Sequence, residues 1–300
     1  MRISCLPALL LAALAQPLQA QDLSPLEAAI RSRIARDTAV VSVVFRDPSR
    51  RQELQIEGQR RYHAASTMKV PVLIELVRRI DAGDFRWDQP IPVRNAFRSI
   101  VDGSPFSLDA GDDSDSTLYR QAGGTVSLAK LARLMIVRSS NLATNLIIEL
   151  LDPKRVDATA HALGADSIQV RRGVEEQKAY DRGLNNTTTA HDLAVLLQAI
   201  ATGRAASGAG TDSLRAILLD QEFRGGIPAG VPSGVQVANK TGWITAIAHD
   251  AAIIYPRGRP PYVLVILTRG FPEEPQAEQL MADISRLVYA WATGPKEPKE

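Results

Sequence analysis

The sequence predicts an α+β fold in which one antiparallel sheet is assembled from both ends of the chain. Strand-like segments occur near the N-terminus and again in the last third, whereas the middle shows helical periodicity. We expect helices to flank this sheet and an all-helical subdomain to stand beside it. Residues 21–300 are then a single domain, with an α/β part from about 21–65 and 220–300 and a helical part over about 66–219.

The N-terminal elements are predicted from local patterns. Apolar residues recur at helical spacing from Leu23 to Ala35, which predicts an amphipathic helix. Ala39 to Phe45 and Leu54 to Glu57 are strand-like and are separated by turn residues, so we expect a hairpin. From Ser66 the pattern turns helical and ends at Gly83. Further helices are expected over Ser127 to Val137, Leu142 to Leu151, Arg155 to Leu163, Thr189 to Ala201 and Thr211 to Leu219.

The last third changes character. Three strands are predicted over Val235 to Asn239, Asp250 to Tyr255 and Tyr262 to Thr268, and a closing helix over Gln276 to Trp291. The stretch from Asn95 to Gly124 is polar and turn-rich, with a cluster of aspartates over Asp109 to Ser116, and predicts a long surface loop.

Composition and charge narrow the classes of function. With 45% hydrophobic and 23% charged residues the chain is typical of a soluble globular protein. Its net charge of +2 comes from scattered arginines and not from a basic cluster interleaved with aromatics, so we expect no nucleic-acid partner. We expect a small-molecule substrate instead.

The first 20 residues are typical of a secretory signal peptide. Arg2 precedes the apolar stretch Leu6 to Ala15, and small residues occupy positions 13, 15 and 20. Cleavage is expected after Ala15 or Ala20, and the second leaves the longer apolar region. The stretch is about half of the roughly 20 residues that a spanning helix needs, so an uncleaved anchor is the alternative. The sequence predicts a periplasmic or secreted protein without stable membrane insertion.

The single cysteine, Cys5, falls inside this leader. The mature chain is therefore expected to hold no disulfide, thiol nucleophile or cysteine metal site.

A serine and a lysine spaced for chemistry occur at Ser66 and Lys69. Three residues apart on a helix, their side chains share one face, so the lysine can remove the serine proton if burial and nearby positive charge lower its pKa. The pattern alone is weak, because it recurs at Ser127 and Lys130, where Ser127 is better explained as a helix N-cap.

Two further motifs follow it. Lys240-Thr241-Gly242 is a rarer combination at the end of a predicted strand, where the lysine and hydroxyl can bind a carboxylate and the glycine permits close approach. An ordinary strand end is the alternative. Ser139-Ser140-Asn141 joins two predicted helices, where Ser139 can relay a proton and Asn141 can hold an amide; helix caps are the alternative.

In this order the three motifs resemble those of the penicillin-recognising serine hydrolases, and among them the class A β-lactamases. Asn145 and the segment from Asn186 to Thr189 also resemble the asparagine that follows the family's second motif and the close of its omega loop. The resemblance covers most of residues 24–293.

The resemblance implies roles for the residues of the three motifs. It implies that Ser66 is acylated, that Lys69 and Ser139 move protons, and that Asn141 positions the substrate. It further implies a carboxylate site at Lys240 and Thr241 and an oxyanion hole built from the backbone N–H groups of Ser66 and Trp243. No metal or organic cofactor is implied, and a monomer is the family's usual state.

The sequence departs from the family pattern in three places. Ser140 stands where class A enzymes usually carry aspartate. In the omega loop, Val170 to Thr189, neither Glu175 nor Glu176 is followed four residues later by the family's asparagine. We expect Glu175 to be the deacylating base over Glu176, because Arg172 precedes it as an arginine precedes the family's glutamate; two solvated loop charges are the alternative. The chain between Ser66 and Ser139 is also longer than usual, which Asn95 to Tyr119 can absorb.

Other chemistries find less support. The four histidines, His63, His161, His191 and His249, lack the G-x-S-x-G elbow of a serine-histidine triad and the histidine spacings of a zinc hydrolase, so all four are expected to be structural. Arg269 could assist Lys240 but is expected to be a surface residue.

The leading hypothesis is a serine β-lactamase. The alternatives are a D-alanyl-D-alanine peptidase or another ester or amide hydrolase of this fold, and a penicillin-binding protein that releases its adduct slowly.

Overall fold

The computed structural model describes residues 22–294, so the predicted signal peptide lies outside the described residues. Its centre is a five-stranded antiparallel sheet in the spatial order β2-β1-β5-β4-β3, built from β1 (Val40–Asp47), β2 (Gln52–Ile56), β3 (Gln236–Ile244), β4 (Ile247–Tyr255) and β5 (Tyr262–Arg269). The first two strands come from the N-terminal part of the chain and the last three from the C-terminal part. The predicted sheet from both chain ends is confirmed.

Nine α-helices surround the sheet within the described residues. They are α1 (Ser24–Ile34), α2 (Lys69–Asp81), α3 (Leu128–Val137), α4 (Asn141–Leu151), α5 (Pro153–Ala162), α6 (Gln177–Asp181), α7 (Ala190–Ala201), α8 (Gly208–Leu219) and α9 (Glu274–Thr293). Each longer predicted helix is present with ends displaced by a few residues, and Ser127 caps α3 by accepting from the Lys130 N–H, as expected.

Alternation along the strands separates two apolar cores. Val43 and Phe45 of β1 face the core that includes α1 and α9, whereas Val44 faces the core shared with the helical part. Helix α2 runs through the second core with every residue from Lys69 to Val77 buried. A helix buried on all sides gives the side chains at its N-terminus a rigid support.

Two boundaries differ from the prediction in ways that matter for the site. Strand β3 does not end at Asn239 but continues to Ile244, so Lys240, Thr241 and Gly242 lie inside it. Ser66 lies in a 3-10 turn, Ala65–Met68, and the α-helix begins only at Lys69. Both motifs are therefore held by backbone hydrogen bonds on either side.

The stretch from Asn95 to Gly124 is more than the surface loop that its polarity predicted. It contains a small hairpin between Phe97–Arg98 and Pro105–Phe106, and it buries Leu108 and Leu118. Asp113 and Asp115 are buried as well. The prediction was wrong for these positions because their carboxylates are satisfied by partners distant in sequence or on the loop itself. Between residues 22 and 294 no helix is both long and apolar enough to cross a bilayer.

Candidate active site

The turn that carries Ser66 is strained and tightly bonded. Ala65 has a positive φ of 45°, and its N–H donates to His63 Nδ1 over 3.0 Å. The Thr67 hydroxyl donates to the Ala64 carbonyl over 2.6 Å. A non-glycine residue at positive φ costs free energy and persists where its surroundings determine the backbone. These contacts fix the position from which Ser66 faces the cavity.

Strand β3 passes close to this turn at Gly242. A Cβ atom built on Gly242 would lie 2.9 Å from the Ser66 nitrogen and 3.0 Å from the Thr67 nitrogen. These neighbours are backbone atoms that cannot rotate away, so only glycine fits. Trp243, the next residue of β3, lines the same cavity as Ser66.

Lys69 and Lys240 converge on one hydroxyl group. Lys69 Nζ donates to Ser139 Oγ over 3.1 Å, to the Ser139 carbonyl over 2.6 Å and to Asn141 Oδ1 over 2.9 Å. Lys240 Nζ donates to the same Ser139 Oγ over 3.0 Å and to the Thr241 carbonyl over 2.8 Å. Ser139 itself has a positive φ of 57° at the junction of α3 and α4. The three sequence motifs therefore form one hydrogen-bonded cluster.

Burial changes the acidity of both lysines. Loss of hydration lowers the pKa of Lys69 to about 7, against the opposing attraction of Asp113 and Glu175. Burial, and then repulsion from Lys69, hold the pKa of Lys240 well below its ordinary value. An amine whose pKa lies near neutrality can accept a proton from a hydroxyl group.

The Asp113 carboxylate lies next to Ser140, the position at which the family usually carries an aspartate. This carboxylate accepts the N–H groups of Asn141 and Leu142, each over 2.9 Å. Ser140 Oγ, which stands where aspartate was expected, instead accepts the Ala143 N–H over 3.3 Å as the N-cap of α4. The missed signal was the acidic run of Asp109 to Ser116 combined with the missing aspartate at 140.

The two glutamates of the omega loop have different surroundings. Glu175 lines the cavity, has a positive φ of 57°, and accepts a hydrogen bond from Asn141 Nδ2 over 3.2 Å. Desolvation raises its pKa, although Lys69 opposes the shift. Glu176 is buried and accepts from Ser99 Oγ over 2.6 Å and from the Ile100 N–H over 2.9 Å. Both glutamates line the cavity, but Glu175 bonds to a residue of the second motif, while Glu176 is buried and fastens the loop.

Two asparagines hold the omega loop in place. Buried Asn145 accepts the Val174 N–H over 2.7 Å and donates to the Val174 carbonyl over 3.0 Å. Asn186 accepts the N–H groups of Arg171 and Arg172 and donates to the Arg172 carbonyl, which ties the two ends of the loop together. Glu175 is thus the residue next to an anchored position.

The cluster opens into a cavity of about 780 Å³. Ser66, Ser139, Asn141, Glu175 and Thr241 all line it. Three strongly exposed aromatic side chains also line it: Tyr180 at 51%, Phe223 at 40% and Trp243 at 52%. Exposed aromatic rings around a polar centre are typical of a pocket that binds an organic molecule with an apolar part.

The remaining candidates lie in structural positions or apart from the cluster. His249 is buried, with Nε2 within 3.0 Å of the His63 carbonyl oxygen, and burial lowers its pKa to about 4. His161 contacts the Ile168 carbonyl. His191 lies beside Asp192 at the start of α7. Arg269 is exposed at the end of β5.

Comparison with known proteins gives a consistent result. The sequence model of the β-lactamase enzyme family matches residues 25–292. The β-lactamase Toho-2 of Escherichia coli is 26% identical over 255 residues, which cover 83% of this chain and 82% of that protein.

Solved structures give the same picture. A β-lactamase of Sphaerobacter thermophilus superimposes with a TM-score of 0.77 at 26% identity, covering 92% of this chain and 100% of that one. A mutant of PBP-A in an acyl-enzyme complex with penicillin G shares the fold, with a TM-score of 0.78, 23% identity, and coverage of 91% and 97%.

Proposed function

This chain belongs to the β-lactamase enzyme family, and we propose that it hydrolyses the amide of a β-lactam ring through an acyl-enzyme at Ser66. The observation that carries the proposal is that Lys69 and Lys240 both donate to the Ser139 hydroxyl. Ser139 lines a single cavity together with Ser66 and Glu175. The names of its relatives support the same class of substrate.

Acylation follows from the chemistry of the cluster. Ser66 Oγ attacks the lactam carbonyl carbon while its proton passes to Lys69, whose lowered pKa suits a general base. The carbon–nitrogen bond then breaks, and Ser139 passes a proton from the lysines to the leaving nitrogen. We assign stabilisation of the negative charge on the carbonyl oxygen to the backbone N–H groups of Ser66 and Trp243. The close approach of Gly242, the neighbour of Trp243, to the Ser66 nitrogen supports this assignment.

Substrate binding uses the other side of the cluster. We assign the substrate carboxylate to Thr241, which lines the cavity, and to Lys240, whose Nζ bonds to the Thr241 carbonyl. A bound carboxylate favours the protonated amine and so opposes the effect of burial on the Lys240 pKa. The Asn141 side chain donates one N–H to Glu175 and accepts one bond from Lys69, which fixes its orientation. Its second N–H and the second lone pair of its oxygen can then bind the side-chain amide of the substrate.

Release of the product needs a water molecule at the ester carbonyl. Both omega-loop glutamates line the cavity, and we assign the activation of this water to Glu175. Glu175 is bonded to Asn141, whereas buried Glu176 is occupied by its two bonds to Ser99 and Ile100. The water adds to the carbonyl carbon while its proton passes to Glu175. The ester bond to Ser66 then breaks, and a proton returned from the cluster to Ser66 Oγ restores the hydroxyl and leaves the product acid. No residue of this mechanism requires a cofactor.

Location and assembly complete the proposal. The pattern of residues 1–20 supports export to the periplasm or the exterior, with cleavage of the leader before the catalytic domain begins. The catalytic groups described above all come from one chain, which supports activity as a monomer.

The experiment is to mix the purified chain with a chromogenic cephalosporin and to follow colour and intact mass together. We expect sustained colour production with little adduct. One equivalent of colour with a lasting adduct would support slow release or a peptidase-like enzyme instead. Absence of both colour and adduct would refute action on β-lactams.

Ser66→Ala is the matching control. It removes the nucleophile and leaves the backbone N–H in place, so neither adduct nor turnover is expected. A covalent adduct on this variant would refute the assignment of the nucleophile.

A further inference from the structure

We propose that Asp113, supplied by the long segment between Ser66 and Ser139, is a positioning residue that takes over the part of the missing carboxylate at position 140. The inference rests on the proposed function, since it assigns Asp113 to the support of Asn141, Ser139 and Lys69 during acylation. Asp113 acts through these groups and does not bond to the reacting atoms.

The geometry around Asp113 is that of a saturated acceptor. Its carboxylate accepts three backbone N–H groups, those of Asp115 over 3.0 Å, Asn141 over 2.9 Å and Leu142 over 2.9 Å. The Tyr119 hydroxyl donates over 2.9 Å, and Ser140 Oγ lies at 3.5 Å. The residue is buried, with 8% of its surface exposed. A buried carboxylate with this many donors is held in one position.

Two of these donors are the first N–H groups of helix α4. Asn141 and Leu142 open the helix, where the N–H groups have no partner inside it and the helix dipole favours a negative charge. Bonding at Asn141 also fixes the backbone next to Ser139, whose positive φ places its hydroxyl between the two lysines. Asp113 therefore sets the orientation of the proton relay from outside it.

The charge of Asp113 also reaches Lys69. The attraction of Asp113, together with that of Glu175, opposes the effect of burial and keeps the Lys69 pKa higher than burial alone would allow. Lys240 faces the same Ser139 hydroxyl, and its own pKa is lowered by burial and by repulsion from Lys69. Loss of the Asp113 charge should therefore shift the Lys69 pKa downward. A residue that only held the loop together would not move this property.

The position of Asp113 distinguishes this role from ordinary loop packing. The neighbouring aspartates accept hydrogen bonds from residues of the same loop. Asp109 accepts the Gly111 N–H over 2.7 Å, and Asp115 accepts the Thr117 hydroxyl over 2.7 Å. Asp113 alone among these three bonds to the N–H groups of α4. A carboxylate 29 positions before Leu142 in the chain thus lies next to Ser140.

The test moves the carboxylate from position 113 to position 140. Asp113→Asn removes the negative charge at the start of α4, and adding Ser140→Asp to this variant restores a carboxylate there on the neighbouring side chain. Asp109→Asn is the matched control, since it makes the same change in the same loop at an exposed residue. The readout is the single-turnover acylation rate with a chromogenic cephalosporin, measured as a function of pH.

We expect Asp113→Asn to slow acylation by up to about 100-fold, the size of effect that misplacement of reacting groups can cause. The combined variant should recover most of the loss, and Asp109→Asn should match the wild type. The low-pH limb of acylation should move to lower pH in Asp113→Asn and return in the combined variant. A rate and limb unchanged in Asp113→Asn, or a combined variant as slow as the single one, would overturn the proposal.

Two further arms keep the outcome decisive. If Asp113→Asn does not fold but the combined variant does, the result supports the proposal that a carboxylate at position 140 can replace Asp113. If neither folds, Tyr119→Phe is tested, because it removes one donor to Asp113 and keeps the charge. We expect it to slow acylation, and an unchanged rate would overturn the proposal.

If the wild type takes no β-lactam at all, only the proposed function fails. The same variants are then compared by phosphonylation with an aryl or alkyl fluorophosphonate, in which Ser66 Oγ bonds to phosphorus and fluoride leaves. The same order of rates supports the role of Asp113, and equal rates overturn it.

Discussion

The acylation cluster and the omega loop hold their catalytic groups in different ways. In the cluster, Lys69, Ser139 and Lys240 come from a helix, a helix junction and a strand, and each bonds to at least one of the others. In the loop, Glu175 extends from a backbone of positive φ and has one side-chain bond, at 3.2 Å to Asn141. In the proposed mechanism, several elements would therefore fix the geometry of acylation, whereas deacylation would depend on how well one loop is anchored.

The largest effect should come from separating the two steps at Glu175. In Glu175→Gln we expect deacylation to slow by about 10²- to 10⁴-fold, the usual contribution of a general base. Acylation should continue, so the acyl-enzyme accumulates in an intact-mass time course. If acylation slows as much as deacylation, the two regions act as one unit and the comparison fails.

The next effect should come from the opposite region, at Gly242. In Gly242→Ala the new Cβ would lie within 3.0 Å of two backbone nitrogens, so β3 or the Ser66 turn must shift. We expect a loss of acylation rate of up to about 100-fold in stopped-flow measurements.

Gly208→Ala is the control for that change. Gly208 lies in α8 with nothing near its would-be Cβ, and alanine favours a helix, so wild-type rates are expected. Equal rates in both alanine variants would show that the close approach at Gly242 does not matter for chemistry.

The pH dependence tests whether the two regions share electrostatics. Because the Lys69 pKa is about 7 and the neutral amine is the base, acylation should fall as the pH drops through about 7. In Glu175→Gln the loss of a nearby negative charge lowers that pKa further, so the limb should move to lower pH. A limb that stays in place would mean that the loop and the cluster are electrostatically independent.

The smallest effect on activity should come from Glu176. One oxygen, Glu176 Oε1, accepts both hydrogen bonds that fasten the loop to Ser99 and Ile100. The amide oxygen of glutamine can still accept both but without the negative charge that strengthens them, so Glu176→Gln should cost about 1 kcal/mol of stability. We expect a melting temperature lower by a few degrees in a thermal scan and nearly normal turnover. An accumulating adduct in this variant, with normal release in Glu175→Gln, would exchange the two roles.

Much of this molecule was predictable from local pattern. The sheet from both chain ends and the longer helices followed from apolar periodicity, because burial on one face imposes that spacing. The predicted end of β3 at Asn239 was wrong. Lys240 and Thr241 break the apolar pattern, but the backbone continues to pair with β4 as far as Ile244. Polar residues at a site obscure the strand that holds them.

No apolar pattern could predict the role of Asp113 or the different surroundings of the two neighbouring glutamates. Glu175 and Glu176 differ in which way a loop backbone directs each side chain, and no spacing encodes a positive φ at a non-glycine residue. Three of the partners of Asp113 are backbone N–H groups, which every residue except proline carries, so these contacts leave no trace in the sequence. Only the unexpected Ser140 indicated that a carboxylate had to come from elsewhere.

The burial of Asp113 has a consequence for how this chain can vary. A segment of loop is usually free to be shortened, lengthened or exchanged, because its residues face solvent. Here the stretch around Asp113 supplies the carboxylate that binds the first N–H groups of α4, a helix from which it is separated in sequence. Exchanging this stretch for the loop of a relative would remove that support, and Ser140 cannot replace it. Substitutions at exposed positions such as Asp109 should be tolerated freely, and a library screened across this stretch should show an abrupt drop in tolerance at Asp113, lifted when aspartate is present at position 140.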